Sequence, residues 1–258
     1  ELAESSRLLE GLTGHSIELV ILEADKLANF QVTGHISSAT YIRFFLPELL
    51  PLDVKHVLYL DSDTVVTSSL EELQVFTREI DNPVSQQLAR MPLAWACLES
   101  NGDHLAELGG QPGPYFNAGV LLINLSGWRS EGMSEKLRAE GQKLAGKLRW
   151  WDQDVLNIAL ADHWAKIPSK FNANASYLRD DTVIAHFTGD RKPWVFGCEH
   201  PARLEYRRIR RLTPFASYRR SGFWRYTSRK LGLALLNKKL RKSTTRAKRS
   251  LSRRFHSR

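Results

Sequence analysis

The sequence predicts an α/β fold in which a mainly parallel sheet is flanked by helices. Short apolar runs of strand length alternate with helix-like segments over most of the chain. The 258 residues are 42% hydrophobic and 25% charged, which is ordinary for a globular protein and enough for a sizeable core. The two cysteines, Cys97 and Cys198, are too few for a disulfide scaffold or a cysteine-rich structural zinc site.

Five apolar runs predict the strands. Each is short and is followed by polar or turn-forming residues, as expected for buried strands. The runs are residues 17–22, 54–60, 93–98, 120–124 and 183–187, and a further extended piece begins at Ile167. None of them approaches the ~20 residues that are needed to span a bilayer.

Helix signals lie between these runs. Leucines recur with helical spacing over residues 1–12, and the polar segment 37–40 caps a helix with an aromatic and aliphatic face. Ser68 or Ser69 with the two glutamates at 71–72 has the capping-box pattern. Residues 126–148 and 151–161 predict two more helices, and an aspartate stands at the start of the second.

Charge divides the chain after Ala202. Residues 1–202 hold 17 basic and 27 acidic side chains, a net charge of −10, whereas residues 203–258 hold 20 basic and 1 acidic, a net charge of +19. We therefore expect a folded domain over 1–202 and a basic tail over 203–258. Such a tail predicts an anionic partner, either a membrane surface or a nucleic acid.

The tail has the pattern of a helix that lies on a membrane surface. Trp224, Leu231 and Leu235 share one helical face, and arginines and lysines surround them. A basic amphipathic helix of this kind fits an interfacial anchor on anionic lipid. We therefore expect a cytoplasmic protein held peripherally on the inner face of the plasma membrane. A solvated tail is one alternative; nucleic-acid binding is another, but no recognisable motif supports it.

Two carboxylates follow the clearest apolar run. Residues 58–65 read Leu-Tyr-Leu-Asp-Ser-Asp-Thr-Val, so Asp61 and Asp63 come directly after a strand. The alternation of faces stops where the chain leaves a strand, so both carboxylates can converge on one hard cation such as Mg²⁺ or Mn²⁺. Open α/β sheets bind ligands at the carboxyl ends of their strands. The plainer alternative is a strand end followed by a capping aspartate.

A third cation ligand is expected from the last strand. Residues 186–194 read His-Phe-Thr-Gly-Asp-Arg-Lys-Pro-Trp, and the neutral imidazole of His186 suits Mn²⁺. Gly189 permits a tight turn or a close approach of the backbone. Lys192 offers a positive charge to a phosphate. The alternative is a structural histidine at a strand end.

Two weaker patterns complete the set of candidates. Asp152, Gln153 and Asp154 begin a predicted helix, where the first carboxylate also suits an N-cap and the second the helix dipole. Asn117 stands before an apolar run and can donate to and accept from a sugar or phosphate. A turn asparagine followed by a glycine explains it equally well.

Taken together, five segments resemble glycosyltransferase family 8, and most of all its bacterial lipopolysaccharide and lipooligosaccharide galactosyl- and glucosyltransferases. They occur in the family's order, between residues 17 and 194. They are Ala-Thr-Tyr-Ile-Arg at 39–43, Asp-Ser-Asp at 61–63, Phe-Asn-Ala-Gly-Val-Leu-Leu-Ile-Asn at 116–124, Asp-Gln-Asp at 152–154 and the block at 186–194. The resemblance implies a Rossmann-like GT-A fold, a UDP-galactose or UDP-glucose donor, a saccharide or lipopolysaccharide acceptor, and Mn²⁺ or Mg²⁺.

The resemblance also implies roles for the residues that bind the metal and the diphosphate. Asp61 and Asp63 match the family's metal-binding pair, and His186 matches its third metal ligand. Gly189 and Lys192 match positions that contact the donor diphosphate.

A second set of positions matches residues around the transferred sugar. Arg43 matches an arginine beside the donor sugar, and Asn117 a donor-site asparagine. Asp152 and Gln153 match residues that face the sugar, and Asp154 a further carboxylate of the site. A neutral amide is a poor nucleophile, so the reaction is either a front-face substitution or a double displacement through a carboxylate such as Asp154.

One departure from the family concerns the start of the chain. The family begins with a strand and an Asp-rich loop that help to bind the nucleotide, and nothing before Ile17 matches them. We therefore expect the N-terminally incomplete domain to lack the first strand of its sheet.

Two other function classes compete with the transferase. A phosphatase of the haloacid dehalogenase type also has a strand followed by Asp-x-Asp, but it needs a late acidic pair after a strand, and Asp180 and Asp181 precede theirs. A non-catalytic protein that binds membrane surfaces would not need the complete set of three metal ligands.

Overall fold

The computed structural model describes residues 2–30, 37–81, 91–176, 178–189 and 192–217. The strands are β1 (His56–Leu60), β2 (Thr64–Val66), β3 (Ala94–Asn101), β4 (Pro114–Asn124), β5 (Trp164–Ile167) and β6 (Ile184–His186). The α-helices are α1 (Leu2–Thr13), α2 (Leu46–Leu49), α3 (Gln74–Asp81), α4 (Leu125–Ser130), α5 (Met133–Lys143), α6 (Trp151–Ala159) and α7 (Arg203–Arg210). Short 3₁₀ helices cover Ala24–Leu27, Ser38–Phe45, Glu71–Leu73, Asp103–Leu108 and Ser169–Phe171.

Four strands form the main sheet, in the order β1-β4-β3-β5, and β2 pairs with β6 in a small second sheet. Strand β4 runs antiparallel to both of its neighbours, whereas β3 and β5 are parallel. Three of the four strands therefore share one direction, and β4 runs against them. The α/β class is confirmed, and the sheet is mixed. A strand that is buried on both faces is apolar whatever its direction, so the run at 120–124 gave no sign of this reversal.

Both faces of the main sheet are covered. Leu121 and Ile123 of β4 belong to the cluster that packs against the 3₁₀ helix Ser38–Phe45 and helices α5 and α6. Val120 and Leu122 belong to a second cluster on the opposite face, with Trp95 of β3. This alternation follows from the two-residue period of a strand, and it places β4 between the two clusters.

Two predicted elements have other bounds in the structure. The helix expected over 126–148 is split into α4 and α5, because Gly132 adopts a left-handed conformation with φ of 61°. The extended piece expected to begin at Ile167 is β5, which ends there.

The strand expected at 17–22 is not formed. This segment forms no strand pairing with another described segment, and its Leu19, Val20 and Ile21 side chains are exposed. A strand is stabilised by a hydrogen-bonded neighbour and by burial of one face, and this segment has neither. Whether a strand is missing before it stays a prediction.

Helix α7 packs against the small sheet. Tyr206 and Ile209 contact a cluster that includes Val65, Ala185 and Phe187. The division of the chain after Ala202 stays a prediction, and the tail residues from 218 onward, with the expected helical face of Trp224 and the leucines, lie outside the described residues. Within the described residues, no helix has both the length and the apolar character to cross a bilayer.

Candidate active site

A cavity of about 450 Å³ lies where β1, β4 and β6 meet the start of α6. It brings together every site residue predicted from the sequence except Asp154. The lining residues are Thr40, Arg43, Asp61, Asp63, Glu99, Ser100, Tyr115, Asn117, Ala118, Gly119, Trp150, Trp151, Asp152, Gln153, His186, Thr188, Gly189 and Lys192. Residues from distant parts of the chain thus converge at one site.

The first wall of the cavity holds two carboxylates and an imidazole. One ligand atom each of Asp61, Asp63 and His186 lies within 4.8 Å of the others. The Nε2 atom of His186 is 3.3 Å from Oδ1 of Asp63 and 3.9 Å from Oδ2 of Asp61. Two carboxylate oxygens and a ring nitrogen at this spacing are suitable ligands for Mn²⁺ or Mg²⁺.

The fold places these ligands through short backbone contacts. Asp61 follows β1, and its N–H donates to the carbonyl of Gly119 at 2.8 Å. His186 ends β6, opposite Thr64 of β2. A Cβ atom at Gly119 would lie 2.1 Å from Cε1 of His186, so only glycine lets the imidazole rest against β4. This contact explains the glycine in the segment 116–119.

Lys192 lies beside the same carboxylates. Its ammonium group pairs with Asp63 and donates to the carbonyl of Phe187 at 2.8 Å. Burial alone would raise the pKa of Asp63, but hydrogen bonds and charges from His186 and Lys192 lower it to about 2. Asp63 is therefore ionised at neutral pH. Gly189 lines the cavity and has a left-handed backbone with φ of 81°.

Arg43 connects the two walls of the cavity. Its guanidinium pairs with Asp61 at 2.7 Å and with Asp152 at 3.1 Å, donates to the carbonyl of Ala118, and lies over the ring of Tyr59. Burial would lower the pKa of Arg43, but the neighbouring carboxylates more than reverse this and raise it. Arg43 is therefore a buried permanent cation that holds both carboxylates in place.

The second wall is formed by the first turn of α6. Burial raises the pKa of Asp152, against the opposing charge of Arg43, and the hydroxyl of Thr40 donates to its Oδ1. Gln153 points into the cavity: its Oε1 accepts from the N–H of Ala118 at 3.0 Å, and its Nε2 donates to Glu99 at 2.9 Å. The amide of Gln153 is thus held at both ends.

Asp154 lies behind this wall and is fully buried. Its Oδ1 accepts from the Tyr115 hydroxyl at 2.6 Å and lies 2.8 Å from Nε2 of His104. Its Oδ2 accepts from the N–H groups of Arg149 and Trp150, both at 2.7 Å. Both oxygens are therefore occupied by internal partners, and neither faces the cavity.

Two tryptophans form the rim of the cavity at the start of α6. Trp150 is 49% exposed although it is a large apolar side chain. Trp151 has a φ of 44°, a conformation that a bulky residue rarely adopts. The N–H groups of Arg149 and Trp150 donate to Asp154 and hold the strained turn, so the buried carboxylate shapes the mouth of the cavity.

The structure adds three functional candidates that sequence reasoning missed. Glu99 accepts from Gln153 and from Nδ2 of Asn117 at 3.2 Å. Asn172 contacts Nδ1 of His186 at 2.8 Å, and Thr40 contacts Asp152. Glu99 follows the apolar run 93–98, which is the same signal that singled out Asp61. No local pattern distinguishes Asn172.

The acidic pair that a haloacid dehalogenase-type phosphatase would need is not part of this cavity. Asp180 and Asp181 stand in a turn before β6 and are not among the lining residues.

The sequence of this chain is similar to those of known proteins. The chain matches the model of glycosyl transferase family 8 over residues 8–197. It is similar to general stress protein A of Bacillus subtilis, with 27% identity over 217 residues that cover 75% of this chain and 72% of the relative. It is also similar to lipopolysaccharide 1,3-galactosyltransferase of Salmonella typhimurium, with 29% identity over 213 residues that cover 78% of this chain but only 62% of the relative.

A solved structure shares the fold. The crystal structure of the galactosyltransferase LgtC in complex with donor and acceptor sugar analogs superimposes with a TM-score of 0.68 at 25% identity, and the match covers 83% of this chain and 82% of that one. The GT-A architecture expected from the sequence is therefore confirmed.

Proposed function

The chain belongs to glycosyltransferase family 8, and we propose that it is a retaining, metal-dependent hexosyltransferase. Its donor is UDP-galactose or UDP-glucose, and its acceptor is a saccharide of the lipopolysaccharide core. The observation that carries this proposal is the group of Asp61, Asp63 and His186 at the wall of the cavity. The names of the Salmonella relative and of the galactosyltransferase solved with sugar analogs support the choice of substrates.

The metal-binding step of the proposal rests on the chemistry of the first wall. Two carboxylates and one imidazole match the preference of Mn²⁺, and the carboxylates alone that of Mg²⁺. When bound, the ion supplies positive charge that stabilises the diphosphate as it leaves. Lys192, beside Asp63, is placed to add a second positive charge.

The second wall holds the sugar in this proposal. Gln153 presents its amide to the cavity from a position fixed by Ala118 and Glu99. Arg43 pairs with Asp152 and holds this carboxyl group toward the same space. Fixed donors and acceptors around the sugar allow binding energy to be used for orientation.

Asp154 acts on the reaction through other residues in this proposal. Since its oxygens are occupied by four internal partners, it is not placed to attack the sugar. We assign it a positioning role at the start of α6. Retention then proceeds without a covalent intermediate on Asp154, which favours the front-face substitution.

The basic tail supplies the proposed location. With a net charge of +19 over residues 203–258, it suits an anionic membrane surface, where the acceptor lipid is also anchored. We propose that the enzyme acts peripherally on the inner face of the plasma membrane. The full chain is expected to sediment with vesicles that contain anionic lipid and not with neutral vesicles, and equal sedimentation with both would contradict this location.

The proposed activity is tested by following UDP release from UDP-galactose and UDP-glucose. The full chain is assayed with Mn²⁺, with EDTA, and with EDTA followed by excess Mn²⁺. We expect release from one of the two donors, its loss with EDTA and its return with Mn²⁺. Release that is unaffected by EDTA would contradict metal dependence.

Variants separate the site from general effects. Asp63→Ala removes one carboxylate of the metal group, and Asp53→Ala removes an exposed carboxylate outside the cavity. Only the first is expected to abolish release. If neither variant changes the rate, the metal group is not the active centre.

A further inference from the structure

A series of hydrogen bonds behind the first wall fixes the orientation of two amide side chains and one imidazole. It begins at the backbone N–H of Gly119, which donates to Oδ1 of Asn117 at 2.9 Å. A backbone N–H can only donate, so the oxygen of the Asn117 amide must face it. The nitrogen of the same amide then faces Oε2 of Glu99 at 3.2 Å, and a carboxylate can only accept. One partner that can only donate and one that can only accept therefore fix the orientation of the Asn117 amide.

Asn117 in turn fixes the orientation of Asn172. Its Nδ2 donates to the same Oδ1 of Asn117 at 2.9 Å. Since an oxygen stands opposite, the nitrogen of the Asn172 amide must face Asn117, and its oxygen must face the other way. That oxygen lies 2.8 Å from Nδ1 of His186. An amide oxygen only accepts, so Nδ1 of the imidazole carries the proton.

The backbone makes this arrangement rigid. The N–H of His186 donates to the carbonyl of Ala173 at 2.9 Å, and the N–H of Ala173 donates to the carbonyl of Ile184 at 2.9 Å. Asn172 and His186 thus leave neighbouring, hydrogen-bonded segments, and both are buried. The imidazole is also confined on the other side by the backbone of Gly119.

We propose that Asn172 is a positioning residue that keeps a proton on Nδ1 of His186, so that Nε2, which faces Asp61 and Asp63, is the nitrogen that offers its lone pair when a cation binds. The backbone N–H of Gly119 orients the amide of Asn117, and Asn117 in turn orients the amide of Asn172. This inference rests on the proposed metal-dependent function, because Nε2 is the nitrogen that points to the carboxylates. A fixed tautomer orients a histidine ligand and increases its affinity for a metal.

The first test reads the proton itself and does not depend on activity. The full chain is labelled with ¹⁵N at histidine, and long-range ¹H–¹⁵N correlation spectra are recorded without metal. The signal of His186 is identified by its loss in His186→Gln. We expect a protonated Nδ1 in the wild type and in Asn172→Asp, whose carboxylate still accepts, and an unprotonated Nδ1 in Asn172→Leu. An unprotonated Nδ1 in the wild type would overturn the proposal.

The second test measures metal affinity. Mn²⁺ is titrated into each protein, and free Mn²⁺ is followed by electron paramagnetic resonance. Asn172→Leu is expected to weaken binding about 10- to 100-fold, as for other residues that support a metal ligand. The matched control is Asn174→Leu, two residues away, where the side chain accepts only from the N–H of Ser176 in the described contacts. Equal affinity of Asn172→Leu and the wild type would overturn the proposal.

The two tests distinguish the failure of this inference from the failure of the proposed function. If the wild-type protein binds no Mn²⁺ but has a protonated Nδ1, the position of the proton is confirmed and the metal site is refuted. A wild-type protein that binds Mn²⁺ with an affinity unchanged in Asn172→Leu keeps the metal site and refutes the role of Asn172.

Discussion

Two segments of this chain have the pattern Asp-x-Asp, and the structure gives them opposite surroundings. Asp61 and Asp63 follow a strand, and their side chains are 28% and 13% exposed beside the cavity. Asp152 and Asp154 stand in the first turn of α6, and their side chains are 7% and 0% exposed. The spacing in the sequence is the same, but only the first pair converges on one point.

Backbone geometry explains the difference. Successive residues of an α-helix are rotated by about 100°, so residues two apart point to nearly opposite sides. Asp152 accordingly faces Arg43, and Asp154 faces Tyr115 and His104. After a strand the chain is free to turn, and both carboxylates of the first pair reach the imidazole of His186. The same motif therefore forms a candidate metal site in one region and a structural support in the other.

The largest expected effect comes from the first pair. Asp63→Ala should lower the rate of UDP release at least about 10³-fold, because several kcal/mol of charge stabilisation are lost with the metal. The midpoint of thermal unfolding should fall less than in Asp154→Ala, because Lys192 and His186 keep hydrogen-bond partners at Phe187 and Asn172 when the carboxylate of Asp63 is lost. Activity assays and circular dichroism on the same samples check this. A large fall in the midpoint would make Asp63 a structural residue like Asp154.

The second pair should give the opposite result. Asp154→Ala leaves the N–H groups of Arg149 and Trp150 and the hydroxyl of Tyr115 without their acceptor. The Tyr115 hydroxyl is buried and the two N–H groups are partly buried. A shielded donor that loses its partner costs about 1–3 kcal/mol, so the free energy of unfolding should fall by about 3 kcal/mol or more. For a domain of this size the midpoint of unfolding should then drop by about 10 °C. A normal midpoint together with complete loss of activity would instead make Asp154 a catalytic group.

A smaller effect is expected from Thr40, which contacts Asp152 of the second pair. Thr40→Val preserves the shape of the side chain but removes the hydroxyl that donates to Asp152. The loss of one hydrogen bond to this buried carboxyl group should reduce the free energy of unfolding by about 1 kcal/mol. Urea denaturation measures this change. A loss as large as that of Asp154→Ala would show that the two carboxylates support the fold equally.

The convergence of the first pair could be predicted from the sequence because its signal is local. A short apolar run predicts a strand, a strand has an end, and polar side chains at strand ends line ligand sites in α/β folds. Asp61, Asp63 and His186 all carry this signal. Glu99 carries it too, at the end of another apolar run, and it lines the same cavity.

The remaining features depend on contacts between distant parts of the chain. The partners of Asp154 include His104 and Tyr115, which lie 50 and 39 residues away, so its burial leaves no mark on the segment 152–154. The orientation of Asn172 depends on Asn117 in the same way. The direction of β4 and the absence of a strand at 17–22 are also set by neighbours, because apolar runs indicate burial but not pairing.

The most direct measurement compares the two pairs in one titration. Mn²⁺ is added to the wild type, Asp63→Asn and Asp152→Asn, and free Mn²⁺ is followed by electron paramagnetic resonance. Both substitutions replace one carboxyl oxygen by an amide nitrogen and preserve the size of the side chain. We predict that Asp63→Asn weakens Mn²⁺ binding at least about 10-fold and that Asp152→Asn leaves it unchanged. Equal weakening by both substitutions, or none by Asp63→Asn, would contradict the assignment of the metal site to the first pair.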